Sequence, residues 1–351
     1  MAKGLAFEPP LKPMLAKAMD DVPSQPGWRY EPKWDGFRAL VFYDGDEVYL
    51  QSRDGKPFNR YFPELEKQLA EAIPSPSVLD GEIVVIGPGG LDFDALQMRI
   101  HPAASRVSML ANEYPASFVA FDLLAQGTTD LRKWPFAERR DALENATGDA
   151  QPPLYVSPST AEEPVARDWF HRFEGAGFDG VIARPDNSVY EPGKRALAKI
   201  KHHRTADCVV GGFRWLKDHA GSEVGSLLLG LYDRHGVLHH VGHTSSFKAK
   251  ERRELAELLA PYVTEDESTG FGEGRTPGAL NRWNQSRDMS WVRLRPELVC
   301  EVHFDQLQGD RFRHAATFLR WRFDRSPEDC RYAQLAATAP AELMQIFRPA
   351  H

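Results

Sequence analysis

The chain has 351 residues, 42% of them hydrophobic and 26% charged, with a formal net charge of −7, which is the composition of an ordinary globular protein with room for two domains. No run of about 18 apolar residues occurs and the N-terminus has no signal-peptide core, so neither a helical membrane span nor a cleaved leader is expected. Cys208, Cys300 and Cys330 are odd in number and far apart, with no CxxC pair; a zinc ribbon or a disulfide framework is not expected, and a reducing cytoplasm fits.

From the N-terminus, RALVFYD (38–44) and EVYLQSR (47–53) read as strands, rich in β-branched and aromatic residues and bounded by turn residues. PELEKQLAEAI (63–73) follows as a helix, with Pro63 at its start and Leu65, Leu69 and Ile73 at four-residue spacing. VLDGEIVVI (78–86) and SFVAFDLL (117–124) are strands. PFAERRDALENA (135–146) and VARDWFHRFEGAG (165–177) are helices, the second expected to stop at Gly175 and Gly177. GVIAR (180–184) is again a strand. After about residue 203 the texture changes: DCVVGGF, SLLLGLYD, VLHHVG and LVCEVHF are closely spaced strands, and KERRELAELLA (250–260) is the one strong helix among them. Several short strands with one helix predict a small β-barrel of the oligonucleotide-binding (OB) type, with the domain boundary near Lys201–Thr205.

The acidity is confined to one part of the chain. Residues 1–200 hold 22 Lys and Arg against 30 Asp and Glu, whereas residues 201–351 hold 21 against 20. Residues 275–325 carry ten arginines against six acids. A nucleic-acid partner requires a local basic surface and not a basic total, although the same arginines suit a salt-bridged, solvated face equally well.

The stretch EPKWDGFR (31–38) places Lys33, Asp35, Gly36 and Arg38 within six positions. A lysine is nucleophilic only when neutral, and neighbouring cations and partial burial favour that state; Arg38, Trp34 and Phe37 are at hand for it. Gly36 would let the backbone approach a ligand. A match to K-x-D-G-x-R arises by chance in roughly one chain of this length in a few hundred, so these residues need company. Strand periodicity supplies some. In AKIK, Lys199 and Lys201 share a face, two ammonium groups suited to an anion between them. In RWRFDR (320–325), Arg320 and Arg322 lie opposite Trp321 and Phe323, and arginine forks suit phosphate oxygens. In LDGEIVV, Asp80 and Glu82 share a face, and a strand-end carboxylate can hold a ribose hydroxyl or Mg2+. Phe121 at strand spacing reads equally as a core aromatic. The pairs His202–His203 and His239–His240 point to opposite faces of their strands and read as structural. GEGRTPG (272–278) does not follow a strand and open a helix, so it is no phosphate loop.

Taken together, these segments resemble the covalent nucleotidyltransferases, the superfamily of ATP-dependent DNA ligases, RNA ligases and mRNA capping enzymes. EPKWDGFR resembles the adenylylation motif. Arg53 in SRDG matches the arginine that follows, LDGEIVV the acidic motif with Glu82, and FVAFDLL the aromatic motif with Phe121. DGVIAR (179–184), AKIK (198–201) and RWRFDR match the later motifs in order. The texture is most similar to small bacterial DNA ligases of the actinobacterial ligase C type. Two departures stand out: Asp179 where the family usually has Glu, and Arg325 where lysine is commoner.

The resemblance implies an α+β chain: an adenylation (nucleotidyltransferase) domain with antiparallel sheets and flanking helices over residues 1–202, then an OB-fold barrel over 203–351. It implies an ATP-dependent DNA ligase in which Lys33 attacks the α-phosphate of ATP to form lysyl-AMP, the 5′-phosphate of a nick takes the AMP, and the 3′-hydroxyl displaces it. Glu31 would meet the adenine edge through its backbone and Phe121 would stack on the base. Arg38, Arg53 and Glu82 would surround ribose and phosphate, and Arg184 the nucleotide's far side. Lys199, Lys201, Arg320, Arg322 and Arg325 would offset phosphate charge. Glu82 and Asp179 would hold Mg2+ (or Mn2+). The partners implied are nicked double-stranded DNA and DNA-repair proteins, for a cytoplasmic, nucleoid-associated monomer in an accessory repair role. With about 30 residues before Lys33, no extra DNA-binding domain is expected, and the predicted DNA affinity is modest and salt-sensitive. The alternatives are an RNA ligase or a GTP-dependent capping-type enzyme, which share the lysine motif, and a non-catalytic barrel module, which would leave Lys33, Lys199 and Lys201 without a role.

Overall fold

The computed structural model describes residues 4–148, 151–173, 176–201, 204–271, 275–278 and 290–335. The described chain forms two compact units, one through Lys201 and one from Arg204. Gly175, His202, His203 and Gly272–Gly274 lie outside the described residues.

In the first unit, alternation along Phe37–Tyr43 decides the layering. Ala39 and Val41 point into one core, with Leu65 and Leu69 of the Pro63–Ala72 helix, while Leu40 and Phe42 point into another, with Met14 and Leu197. The strand belongs to a seven-stranded sheet whose central order is Val48–Ser52, Phe37–Tyr43, Ser77–Gly87, Ala116–Gln126 and Thr129–Asp130. These neighbours pair antiparallel, and the short Leu154–Val156 strand pairs parallel with Ala116–Gln126. Helices cover one face. A four-stranded sheet, ordered Leu15–Met19, Arg195–Ile200, Val181–Pro185 and Trp28–Pro32, meets the other through Met14, Leu197 and Tyr190. The Glu163–Arg172 helix packs Ala166 against the far side of that smaller sheet, on Tyr30, Val181 and Ile200.

Three expected helices are present with shifted ends: Pro63–Ala72, Phe136–Thr147 and Glu163–Arg172. The third stops earlier than the glycines suggest, because Phe173 turns inward to pack beside Phe178 and Trp34. Two further helices, Phe93–Met98 and Ala104–Glu113, are weakly patterned in sequence. Among the described residues no helix is long and apolar enough to cross a membrane.

The second unit is the OB-fold barrel. Its sheet runs in the order Leu238–Thr244, Val224–Tyr232, Arg204–Trp215, Val299–Phe304 and Thr317–Trp321, antiparallel throughout. A bridge between Thr244 and Ala316 joins the first of these strands to the chain entering the last, which closes the sheet and removes an open edge. The helix Ala249–Leu259 buries Leu255 and Leu259 against the barrel, the packing role its four-residue apolar spacing implies. Cys208 and Cys300 are cross-strand neighbours in this core, and all three cysteines are buried free thiols.

Candidate active site

Lys33 leaves the end of the strand Trp28–Pro32, whose register pairs Pro32 with Val181. The pairing continues one step past both strands. The Lys33 amide donates to the Gly180 carbonyl at 2.9 Å, and the Asp179 amide donates to the Lys33 carbonyl at 3.0 Å. Gly180 makes this approach possible: its φ is +126°, and a Cβ there would sit 1.9 Å from the Ile200 carbonyl oxygen. Lys33 and Asp179 are thus locked face to face by backbone.

Their side chains meet. Lys33 Nζ lies 2.6 Å from Asp179 Oδ2, and Lys201 Nζ lies 2.7 Å from the same oxygen. Lys201 directly follows the neighbouring strand Arg195–Ile200, on which Lys199 stands opposite Ile182. Burial pulls the Asp179 carboxyl upward, but the charges of Lys33 and Lys201 outweigh it and hold the group below the usual carboxylate range. Lys199 is also shifted down, but there it is the charged form that is disfavoured, by burial and then by Lys201 and Lys33.

Lys33 opens into a cleft of about 1050 Å³, lined also by Arg38, Arg53, Glu82, Lys56 and Arg60. Glu82 is half-buried, and desolvation lifts its carboxyl to about 7 against the pull of Arg38 and Lys33. Lys56 and Arg60 are cations that motif reading passes over. Their only sequence signal is basic residues recurring through SRDGKPFNR.

Arg38 is fixed by residues the motif comparison did not single out. Its guanidinium forks onto buried Asp80 at 2.6 and 2.7 Å, and the Tyr190 hydroxyl donates to the same carboxylate at 2.6 Å. From there Arg38 stands 4.3 Å from the Phe121 ring centroid. Gly36, expected to admit a ligand, lines the cleft and is also closely packed: a Cβ there would come within 2.2 Å of the Ile83 carbonyl oxygen and 2.8 Å of Glu82 Cγ. It lets the Lys33 loop lie flat on the strand that carries Glu82.

Residues 13–201 match the family described as the ATP dependent DNA ligase domain, and residues 220–325 match the ATP dependent DNA ligase C terminal region. The chain is 50% identical to DNA ligase C of Mycobacterium tuberculosis, over 97% of this chain and 98% of that one. This chain belongs to the ATP-dependent DNA ligases. Among solved structures, the ligase domain of M. tuberculosis LigD is 29% identical with a TM-score of 0.50, covering 91% of this chain and 97% of that one. A Lig E DNA ligase structure shares the fold, with a TM-score of 0.54 at 19% identity, covering 88% and 99%.

In this ligase, Arg184 does not line the Lys33 cleft. It is 2% exposed and binds Asp122 at 2.8 Å and Glu31 at 3.0 Å. Asp122 also takes a fork from Arg139 at 2.8 and 3.0 Å, and Glu31 takes Arg140 at 3.2 Å. Arg184, expected at the far side of a nucleotide, thus sits in a buried ion network. Lone buried charges are costly, so these are paired on several sides. The Glu31 side chain is spent in the same network, and burial raises its carboxyl despite Arg184 and Arg140. Phe121 is 6% exposed, its ring 4.3 Å from Arg38 and 5.3 Å from Arg184.

The ligase's terminal arginines are each held by a carboxylate within the barrel. Arg320 binds Glu301 at 2.6 Å, Arg322 binds Asp207 at 3.0 Å and Asp324 at 2.8 Å, and Arg325 binds Asp207 at 3.0 Å. Phe323 is 74% exposed and stacks on Trp321 with ring centroids 6.2 Å apart.

Asp179 and Glu82 are the acidic groups expected to take a divalent ion. Among the described residues no cluster of three or more His, Cys, Asp or Glu side chains is placed to hold one. Mg2+ is usually held by one or two carboxylates together with substrate phosphates. Glu82 lines the cation-rich cleft and Asp179 is bonded to Lys33, which lines it too; two carboxylates so placed fit an ion that arrives on a triphosphate.

Proposed function

We propose that this ligase seals nicks in duplex DNA through an AMP covalently carried on Lys33. The observation that carries the reading is the single Asp179 oxygen shared by Lys33 at 2.6 Å and Lys201 at 2.7 Å. The carboxylate aims the Lys33 nitrogen, and the proton the amine must lose leaves along that hydrogen bond. The nitrogen lone pair then attacks the α-phosphorus, a nitrogen–phosphorus bond forms, the α–β phosphoanhydride breaks and pyrophosphate departs. Lys199 and Lys201, presented by one strand, offset the charge on the α-phosphate oxygens. Arg38 and Arg53 face the same cleft as the nucleophile and hold ribose and phosphate. Phe121 offers its ring to the adenine, and the backbone of Glu31 meets the base edge. Mg2+ or Mn2+, when bound, supplies charge neutralisation on the phosphates, held by Glu82 and Asp179. In the second step the 5′-phosphate of the nick displaces lysine from the AMP, and in the third the 3′-hydroxyl displaces AMP.

The terminal arginines Arg320, Arg322 and Arg325 belong in this reading to the first step, as further cations for the triphosphate. An accessory repair role with recruitment by repair proteins, supported by relatives named for DNA ligase C and for end joining, completes it, together with a monomeric state and a cytoplasmic location. The decisive experiment is incubation with α-labelled ATP and Mg2+, followed by a denaturing gel. The native chain should retain label and Lys33→Ala should not; label on the variant would end the proposal. Parallel incubations with labelled GTP, nicked RNA and nicked DNA separate capping and RNA-ligase chemistry from the sealing of DNA nicks.

A further inference from the structure

Phe121 and Lys33 belong to different sheets. Phe121 stands on the strand Ala116–Gln126 of the seven-stranded sheet, and Lys33 directly follows the strand Trp28–Pro32 of the four-stranded one. One segment runs from the first sheet to the second. The strand Leu154–Val156 pairs parallel with Phe118, Val119 and Ala120, and the Ser157 amide extends that pairing by donating to the Ala120 carbonyl at 2.8 Å. Further along, Thr160 is bridged to Tyr30: the Thr160 amide donates to the Tyr30 carbonyl at 3.0 Å, and the Tyr30 amide donates back at 2.8 Å. Ser157 is thus tied beside Phe121, and Thr160 is tied to the strand that leads into Lys33.

Arg140 grips this segment at Ser157. It projects from the helix Phe136–Thr147 and is 3% exposed. Its Nη2 donates to the Ser157 carbonyl at 2.6 Å, its Nη1 to Glu31 at 3.2 Å and its Nε to Glu144 at 2.6 Å. The Ser157 hydroxyl in turn accepts from the Trp34 indole at 2.8 Å. Arg140 therefore holds both flanks of the nucleophile: Glu31 directly, and Trp34 through Ser157. Neutralising Glu31 does not by itself call for Arg140, because Glu31 already has Arg184 at 3.0 Å and a second buried guanidinium brings its own desolvation penalty. A guanidinium carries its donors in one rigid plane. One that bonds two elements at once fixes the spacing between them.

We propose that Arg140 is a positioning residue for lysyl-AMP formation: acting through Glu31 and Ser157, it sets the distance between the Lys33 nitrogen and the α-phosphorus of an ATP whose base lies on Phe121. The inference rests on the function proposed for Lys33 and Phe121. Arg140 touches no reacting atom. Its loss acts on the first step, where a displacement of about 1 Å can slow reaction about 10²-fold. It spares the third, in which AMP has already left the lysine and the 3′-hydroxyl attacks.

The test uses the full chain and follows two reactions separately. Single-turnover lysyl-AMP formation is measured over a range of ATP concentration. Sealing of a nick that already carries a 5′-AMP, which bypasses Lys33, is measured without ATP. Arg140→Gln should lower the maximal rate of the first reaction about 10²-fold. Half-saturating ATP should move by less than about threefold, and the second reaction should stay within about threefold, because a purely positional loss falls on the chemical step. Arg140→Lys keeps the charge but not the fork, and should remain at least about tenfold slow in the first reaction. Ser157→Ala keeps the carbonyl that Arg140 binds and loses only the link to Trp34; it should slow the first reaction about 3- to 10-fold, as for one neutral hydrogen bond. Should Arg140→Gln fail to fold, Arg140→Lys and Ser157→Ala carry the same comparison. Two reactions that fall in step mark a merely structural residue and overturn the proposal. So does a native rate of lysyl-AMP formation in Arg140→Lys. A native chain that forms no lysyl-AMP would instead defeat the reading of Lys33. One that forms it, with all variants at the native rate, defeats only this inference.

Discussion

Trp34 and Phe178, the chain neighbours of Lys33 and Asp179, pack ring against ring at 4.8 Å in a small core of their own. The indole also donates to Ser157 Oγ at 2.8 Å. The apolar contact on one side of the backbone thus fixes the ion pair on the other.

Trp34→Ala should therefore damage stability and chemistry together. Removing a buried tryptophan costs about 3–5 kcal/mol. Trp34→Phe keeps most of the packing and loses the bond to Ser157, at about 1 kcal/mol. Urea denaturation should rank the two in that order. Single-turnover adenylylation should be slowed in both, even where the fold is fully populated.

Lys201→Gln removes one of the two ammonium groups on Asp179 Oδ2. The Asp179 carboxyl should rise towards its ordinary value, since Lys201 is one of the charges holding it down. Lys-AMP formation should slow about 10²- to 10³-fold, the usual cost of losing a preorganised electrostatic contact. Rapid-quench measurement with labelled ATP reads this directly, and a rate within twofold of the native chain would remove Lys201 from the site.

Tyr190→Phe deletes a hydroxyl that serves two partners, donating to buried Asp80 at 2.6 Å and accepting from the Met14 amide at 3.0 Å. A hydrogen bond to a charged group is worth about 1.5–3 kcal/mol, so the fold should lose at least that much. Arg38 keeps its fork on Asp80 but loses the brace behind it. Weaker ATP binding in an equilibrium assay is the expected result, with the bound complex reacting at a nearly normal rate.

Glu82 gives a pH signature. Its carboxyl is lifted to about 7 in the fold from an ordinary 4.5, so the folded state binds its proton more tightly than the unfolded chain. That contribution is fully present below the unfolded value and is lost as pH rises through about 7. Glu82→Gln should therefore gain stability relative to the native chain between about pH 5 and pH 8, in denaturant melts taken at steps across that range. An equal difference at every pH would contradict the assignment.

Much of the site was legible because its residues recur at short spacing along single strands. Lys33, Glu82, Asp179, Lys199 and Lys201 each sit in a local pattern, and the fold brings them to one end of two adjacent sheets. Arg184 shows the limit. Its strand position was readable, yet its side chain turns into a buried network with Asp122, 62 positions away, and Glu31, 153 positions away. The network was invisible for the same reason that Asp80 looked like a companion of Glu82 and not the anchor of Arg38: an ion pair across a long chain separation leaves no periodicity. Gly36 read as a ligand-facing glycine and lines the cleft, but its close packing on Ile83 and Glu82 was not readable, because chain flexibility does not say which atoms will crowd it.

Sequence determined the chemistry on offer and the order in which it is strung: a lysine with nearby cations, acids on strand faces, an arginine-rich terminal motif, and helices and strands set by period and punctuation. Which amine touches which carboxylate was settled only by tertiary structure. Hydrogen bonds and desolvation act through space at about 3 Å, and nothing in a linear pattern measures that distance.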